Sequence, residues 1–167
     1  MRCYLAFLLC TAALSCAADP GAVATPLSVG ALIKEKGAQA AIDSLWDTPQ
    51  WTTMIAGISK GDQAWLKVAE EIWPGSDGGS ASELRDAMAW ALPQAPAQVL
   101  VITIRNAIWK DTCDGPPVDF PPQGPAAYFK EALAAVGRVA EPSLRATRDE
   151  CLRKLKAASA KAAANDA

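Results

Sequence analysis

VLVITI, residues 99–104, is the one strand-like run in this chain, and nothing elsewhere in the sequence could pair with it. Its β-branched content favours extended backbone. A lone buried strand, however, leaves its N–H and C=O groups without partners, which costs free energy. The apolar character also continues through Asn106, Ala107, Ile108 and Trp109, beyond the usual length of a strand. The run is therefore expected to be a buried central helix, apolar on most sides. With it, the last argument for a sheet disappears, and the expected fold class is all-α.

The rest of the chain reads as short helices separated by caps and breakers. Thr25-Pro26 and Thr48-Pro49 each place an N-cap before a proline at the first helical position, where the missing N–H has no intrahelical acceptor anyway. PLSVGALIKEK (26–36) and AQAAIDSLW (38–46) are two helices broken at Gly37. Trp51, Met54, Ile55 and Ile58 recur at i, i+3, i+4 and i+7, an apolar helical stripe. After Gly61, Asp62 caps a helix in which Trp65, Val68, Ala69, Ile72 and Trp73 share a face, and Pro74-Gly75 stops it. Ser80 and Glu83 form an S-x-x-E pattern, read as a capping box opening the stripe Leu84, Ala87, Met88, Ala91, Leu92. Pro93 and Pro96 bracket a turn, and residues 111–124 are a proline-rich loop. Tyr128, Phe129, Ala132, Leu133 and Val136 face inward on the next helix. Pro142 opens a long final helix whose stripe carries Leu144, Cys151, Leu155 and Ala158.

The expected architecture is a single domain of seven or eight short helices packed as antiparallel hairpins, either an irregular bundle or a short α-solenoid-like stack. GAQAAI (37–42) and GDQAWL (61–66) echo each other, the one hint of an internal repeat. Residues 26–167 form the helical domain and 19–25 a tether. Residues 1–18 are expected to be a signal peptide: Arg2, then an apolar run, then small residues before a cleavage point at Ala17 or Ala18. ALSC (13–16) leaves a second reading open, in which Cys16 is lipidated, although Ala13 stands where leucine is usual. No second apolar run is long enough to cross a bilayer.

Five cysteines reduce to two once the leader is set aside. Cys113 and Cys151 remain as an even pair in an oxidising compartment, the setting in which a disulfide persists. A bridge between them pins the tail helix to the end of the central helix. The same pair makes a poor metal site, because the chain has no histidine at all.

That absence removes most catalytic constellations. Ser-His-Asp and Cys-His arrangements are excluded. GSDGGS (75–80) lacks the lysine and the preceding strand of a phosphate-cradling loop, and the missing strand also excludes dinucleotide binding. No cofactor is expected. Carboxylates are the remaining catalytic candidates, with Glu70, Glu71, Asp77 and Glu83 on or beside the fourth and fifth helices. Each also has an ordinary structural role, on a polar helix face, in a turn or in a cap. Asp111, Asp114 and Asp119 enrich the proline loop in acid without the regular spacing of a calcium loop. Residues 19–137 carry eight Lys/Arg against fourteen Asp/Glu, and residues 138–167 carry seven against four. An acidic body with a basic tail argues against nucleic acid as the partner.

Of six tryptophans, Trp51, Trp65 and Trp73 fall on core stripes, while Trp46 and Trp109 sit at helix ends. Trp90 lies off its helix's main stripe and is the candidate for a recognition surface. These features favour an exported, non-catalytic protein, periplasmic or secreted, that binds another envelope or secreted protein as an inhibitor, immunity-type factor or adaptor. Two rivals stand beside it. One is a carboxylate-dependent hydrolase of cell-wall glycan, which needs two acids roughly 5–10 Å apart across a groove. The other is a carrier of a small apolar ligand, which needs an enclosed cavity of several hundred Å³, roughly 300 or more.

Overall fold

The computed structural model describes residues 23–115 and 124–165. The leader with Cys16, the first part of the tether and the proline-loop residues 116–123, Asp119 included, lie outside the described residues, as does the Trp109 side chain. Eight α-helices follow one another: α1 Pro26–Lys36, α2 Ala38–Leu45, α3 Pro49–Ser59, α4 Gln63–Ile72, α5 Gly78–Ala91, α6 Pro96–Arg105, α7 Pro125–Gly137 and α8 Arg145–Asn165. Short 3-10 segments at Trp73–Gly75, Ala107–Asp114 and Pro142–Leu144 join them, and no strand occurs among the described residues.

The expected starts of α1, α3 and α4 hold because each cap has the right atoms in reach. Thr25 Oγ1 accepts from the Ser28 N–H at 3.1 Å, and Ser28 Oγ returns the bond to the Thr25 N–H at 2.9 Å. Thr48 Oγ1 accepts from the Trp51 N–H at 3.3 Å. Asp62 Oδ1 takes both the Ala64 and Trp65 N–H groups, at 2.9 and 3.0 Å. Each bond satisfies a donor that the helix start would otherwise leave orphaned.

α6 is the hub of the core. It touches α4, α5, α7 and α8, and Val99, Leu100 and Ile102 are fully enclosed. VLVITI is helical, as the pairing argument requires. The helix is shorter than expected, however. It ends at Arg105, and Asn106 takes up extended backbone while its Nδ2 donates to the Ile102 carbonyl at 3.4 Å. Ile104, on the far side of α6, is half exposed, so the helix is not apolar-buried all round.

Sequential pairs α1–α2, α3–α4 and α7–α8 meet, and α3 also packs extensively on α5, and α1 on α4. The 37–42 and 61–66 echo does not share a helix register: Gly37 itself caps α2, whereas Asp62, one residue later in its own motif, caps α4.

Two glycines allow close approach. A Cβ on Gly57 would stand 2.1 Å from Trp65 Cδ1, so α4 lays its tryptophan directly on the α3 backbone. A Cβ on Gly75 would stand 2.2 Å from the Gln39 backbone nitrogen and 2.5 Å from the Ala38 carbonyl carbon. The 3-10 turn after α4 thus seats on the start of α2.

The Cys113–Cys151 disulfide forms, with Cα atoms 5.1 Å apart and both residues buried. It ties the 3-10 segment after α6 to α8. Lys154, one turn along α8, lies 3.0 Å from Asp114 and 3.8 Å from Asp111 on the same segment. Arg148 Nη1 donates to the Val139 carbonyl at 3.0 Å, fastening α8 to the turn that precedes it.

Two measurements check this account. Bridging residues separated by 38 positions lowers the entropy of the unfolded chain, so Cys113→Ala/Cys151→Ala is expected to lose about 4 kcal/mol in urea denaturation. An unchanged midpoint would contradict a stabilising bridge. Gly75→Ala is expected to cost about 1–3 kcal/mol, because backbone rather than a flexible side chain must give way. Gly137→Ala, whose Cβ meets nothing within 4 Å, should be neutral or stabilising by up to ~1 kcal/mol.

Candidate functional site

The acids singled out by sequence do not gather into one site. Glu70 and Glu71 remain on α4, where Glu70 lies 3.5 Å from the Arg105 guanidinium and Glu71 lies 3.9 Å from Lys67. Asp77 is the N-cap of α5. The capping box expected between Ser80 and Glu83 is displaced by one turn. Ser80 is itself the third helical residue: its Oγ accepts from the Asp77 N–H at 3.0 Å and donates to the Asp77 carbonyl at 2.8 Å. Asp is as good a cap as Ser, and starting three residues earlier adds a turn to the helix.

Glu83 is thereby released from its capping role. Its Oε2 accepts from Trp51 Nε1 at 2.7 Å, across 32 residues of sequence. Trp51 lies on the buried stripe of α3, and Glu83 gives its indole N–H an acceptor within the protein. Burying such a donor is tolerable only with an acceptor in place. Trp46 meets the Trp51 ring edge-on, with centroids 4.9 Å apart. A Cβ on Gly79 would stand 3.1 Å from the Trp46 ring, so the first turn of α5 passes close beneath it.

Beside Trp51 opens a surface cleft of about 560 Å³, walled by Asp47, Thr48, Pro49, Trp51, Thr52 and Glu83. It sits between the α2–α3 turn and α5. Asp47 holds a left-handed backbone with φ 59°, the one non-glycine among the described residues to do so. Asp is among the few side chains that tolerate that region. Asp86, three residues after Glu83 and so on the same side of α5, has its carboxyl pKa raised by burial, with Glu83 adding to the rise and Arg85 opposing it. Nothing in the hydrophobic pattern marks Asp86 out, because i, i+3 acids on a helix usually face water.

A second cleft, of about 580 Å³, lies where the α5–α6 turn meets the α7–α8 turn, with Pro93, Pro96, Ala135, Arg138, Val139 and Glu141 among its walls. Both clefts open to solvent. Among the described residues, no group of three or more His, Cys, Asp or Glu side chains comes together around a metal-sized space. No described helix is long and apolar enough to cross a membrane.

Trp90, the recognition candidate, is half buried. Its ring meets Tyr128 edge-on with centroids 5.3 Å apart. Tyr128 in turn donates its hydroxyl to the Ala89 carbonyl at 2.8 Å, and burial pushes its phenol pKa up. Trp90 therefore links α5 to α7 while keeping part of its surface accessible. Comparison with protein-family models, curated proteins and solved structures finds no match for this chain.

The Trp51–Glu83 bond carries a testable energy. Glu83→Ala removes the charged acceptor of the Trp51 indole N–H and is expected to cost about 1–3 kcal/mol in chemical denaturation. Glu83→Gln keeps an acceptor oxygen at the same reach and should cost distinctly less. Equal losses would mean that the bond contributes nothing beyond side-chain packing.

Proposed function

We propose that this chain is an exported, non-catalytic helical protein, periplasmic or secreted, that binds another envelope or secreted protein as an inhibitor, immunity-type factor or adaptor. The observation that carries the reading is the cleft between the α2–α3 turn and α5, with Trp51 in its wall. It is an aromatic-walled, solvent-open recess with hydroxyl and carboxylate groups at its walls, built where two packed helices meet a tight turn. Interfaces concentrate their energy in such places, where an anchor side chain can be desolvated against a rigid wall. The half-exposed edge of Trp90 on the same helix, α5, supplies a second aromatic contact. Export is supported by the leader-like residues 1–18 and by the Cys113–Cys151 bridge, which suits an oxidising compartment.

The glycan hydrolase reading takes one support from Asp86, whose raised pKa beside Glu83 resembles an acid paired with an ionised carboxylate. Glycoside hydrolysis, however, sets its two carboxyls on opposite sides of the scissile bond. Glu83 and Asp86 project from one helix at i and i+3. Protein binding is therefore the better supported function.

The test begins with the mature domain as bait for an envelope fraction. The captured protein is then purified and its affinity measured directly. Thr52→Arg fills the cleft and is expected to weaken binding at least ~tenfold, about 1.4 kcal/mol. Glu131→Arg, on the exposed side of α7, should leave it unchanged. An affinity indifferent to Thr52→Arg, or no saturable partner at all, would reject the proposal.

A further inference from the structure

We infer that α1 is a strap: it detaches as a unit about Gly37 and melts while α2–α8 stay folded, uncovering the apolar strip of α2 and α4 on which it rests. The inference stands apart from the protein-binding reading. It begins from how little holds α1 down. α1 packs mainly on α2 and α4 and buries one residue of its eleven, Val29; Ala24, just before it, is also buried. Leu32 and Ile33 are only partly buried against the core. α2, with eight residues, buries Ala41, Ile42 and Leu45, and α4, with ten, buries five. Leu27, in the first turn of α1, is 84 % exposed. Polar fastening is missing as well. The Thr25 and Ser28 side chains bond only to each other's groups. Among the described residues, no hydrogen bond or ion pair joins an α1 side chain to another helix. Elsewhere such links are regular: Trp51 to Glu83 between α3 and α5, Glu70 to Arg105 between α4 and α6, Tyr128 to the Ala89 carbonyl between α7 and α5.

The joint and the helix interior both suit opening. Gly37 separates α1 from α2 with φ 84° and ψ 161°, a region that essentially only glycine enters. Gly37 is exposed, and a Cβ there would meet nothing within 4 Å, so its surroundings leave room for the backbone to turn. Gly30 stands at the middle of α1 and weakens a helix of eleven residues that is already too short to persist unsupported. Once lifted from α2 and α4, α1 therefore loses its helix. Segments with few buried apolar contacts are the ones that open at the lowest free energy. α1 meets that description, and the links among α3–α8 keep the remainder together.

The test is hydrogen exchange of the folded chain, read by mass spectrometry at several urea concentrations below the unfolding midpoint. Amides of α1 should be at least ~100-fold less protected than those of α4 and α6, and their exchange should depend only weakly on urea, because lifting one helix exposes little surface. Amides of α4 and α6 should share one steep urea dependence. Val29→Asp places a charge where α1 is fastened. In that variant α1 should be unprotected throughout, α6 should remain protected, and the dye 8-anilinonaphthalene-1-sulfonate should brighten on the uncovered strip. Exchange of α1 together with α6, at the same urea slope in the unaltered chain, would overturn the inference whatever the variant does. Loss of protection in α4 and α6 along with α1 in Val29→Asp would overturn it too, as would an unchanged dye signal, which would mean that no strip becomes accessible. These measurements involve no partner, so neither result bears on the protein-binding reading.

Discussion

Seven of these eight helices would not persist alone. Seven of the eight run between 8 and 14 residues, near or below the length at which an isolated helix holds together in water. Their stability comes from mutual burial of apolar stripes, with α6 supplying the surface on which α4, α5, α7 and α8 converge. Met54, Ile58, Leu66, Ile72, Leu84, Met88, Leu100 and Leu155 are all fully enclosed and come from α3, α4, α5 and α8 besides α6 itself. Caps and prolines decide where each helix starts. They do not supply the energy that keeps it formed.

That dependence explains why covalent and ionic fastenings cluster at the edge of the core. Beyond Arg105 the chain leaves regular helix for a 3-10 segment, whose hydrogen bonds are poorer. It is here that the disulfide and the Lys154 contacts join the chain to α8. α8 in turn is the longest helix and the most polar, and its inner stripe narrows to alanines at Ala158 and Ala162. A helix with so little apolar surface to offer gains most from being tied at its better-packed end.

The same packing creates the candidate site. Trp51 is drawn inward by its place on the α3 stripe, and its one polar atom then needs an acceptor. α5, which lies against α3, supplies it. Glu83 is thus fixed at the surface by a demand that originates in the core. Asp47, in the turn that reverses the chain between α2 and α3, completes the cleft because the α2–α3 turn abuts the same face. Nothing in either residue's local sequence announces this. Ser80-x-x-Glu83 resembles a capping box, and Asp77-x-x-Ser80, one turn earlier, satisfies the same donors equally well.

Most of the fold was legible along the chain. The unpaired VLVITI run excluded a sheet, the Thr-Pro and Asp caps placed helix starts, and the stripes on α3, α4, α5 and α7 named their buried faces, because these are local rules obeyed within one or two helical turns. The even cysteine pair likewise pointed to one bridge. Tertiary structure alone decided which helices meet, that α6 stops at Arg105, and that Glu83 answers to Trp51 rather than to Ser80. Those outcomes turn on contacts between residues tens of positions apart, and a one-dimensional pattern carries no distance between faces. It shows which sides of the helices must be hidden and leaves open which side hides which.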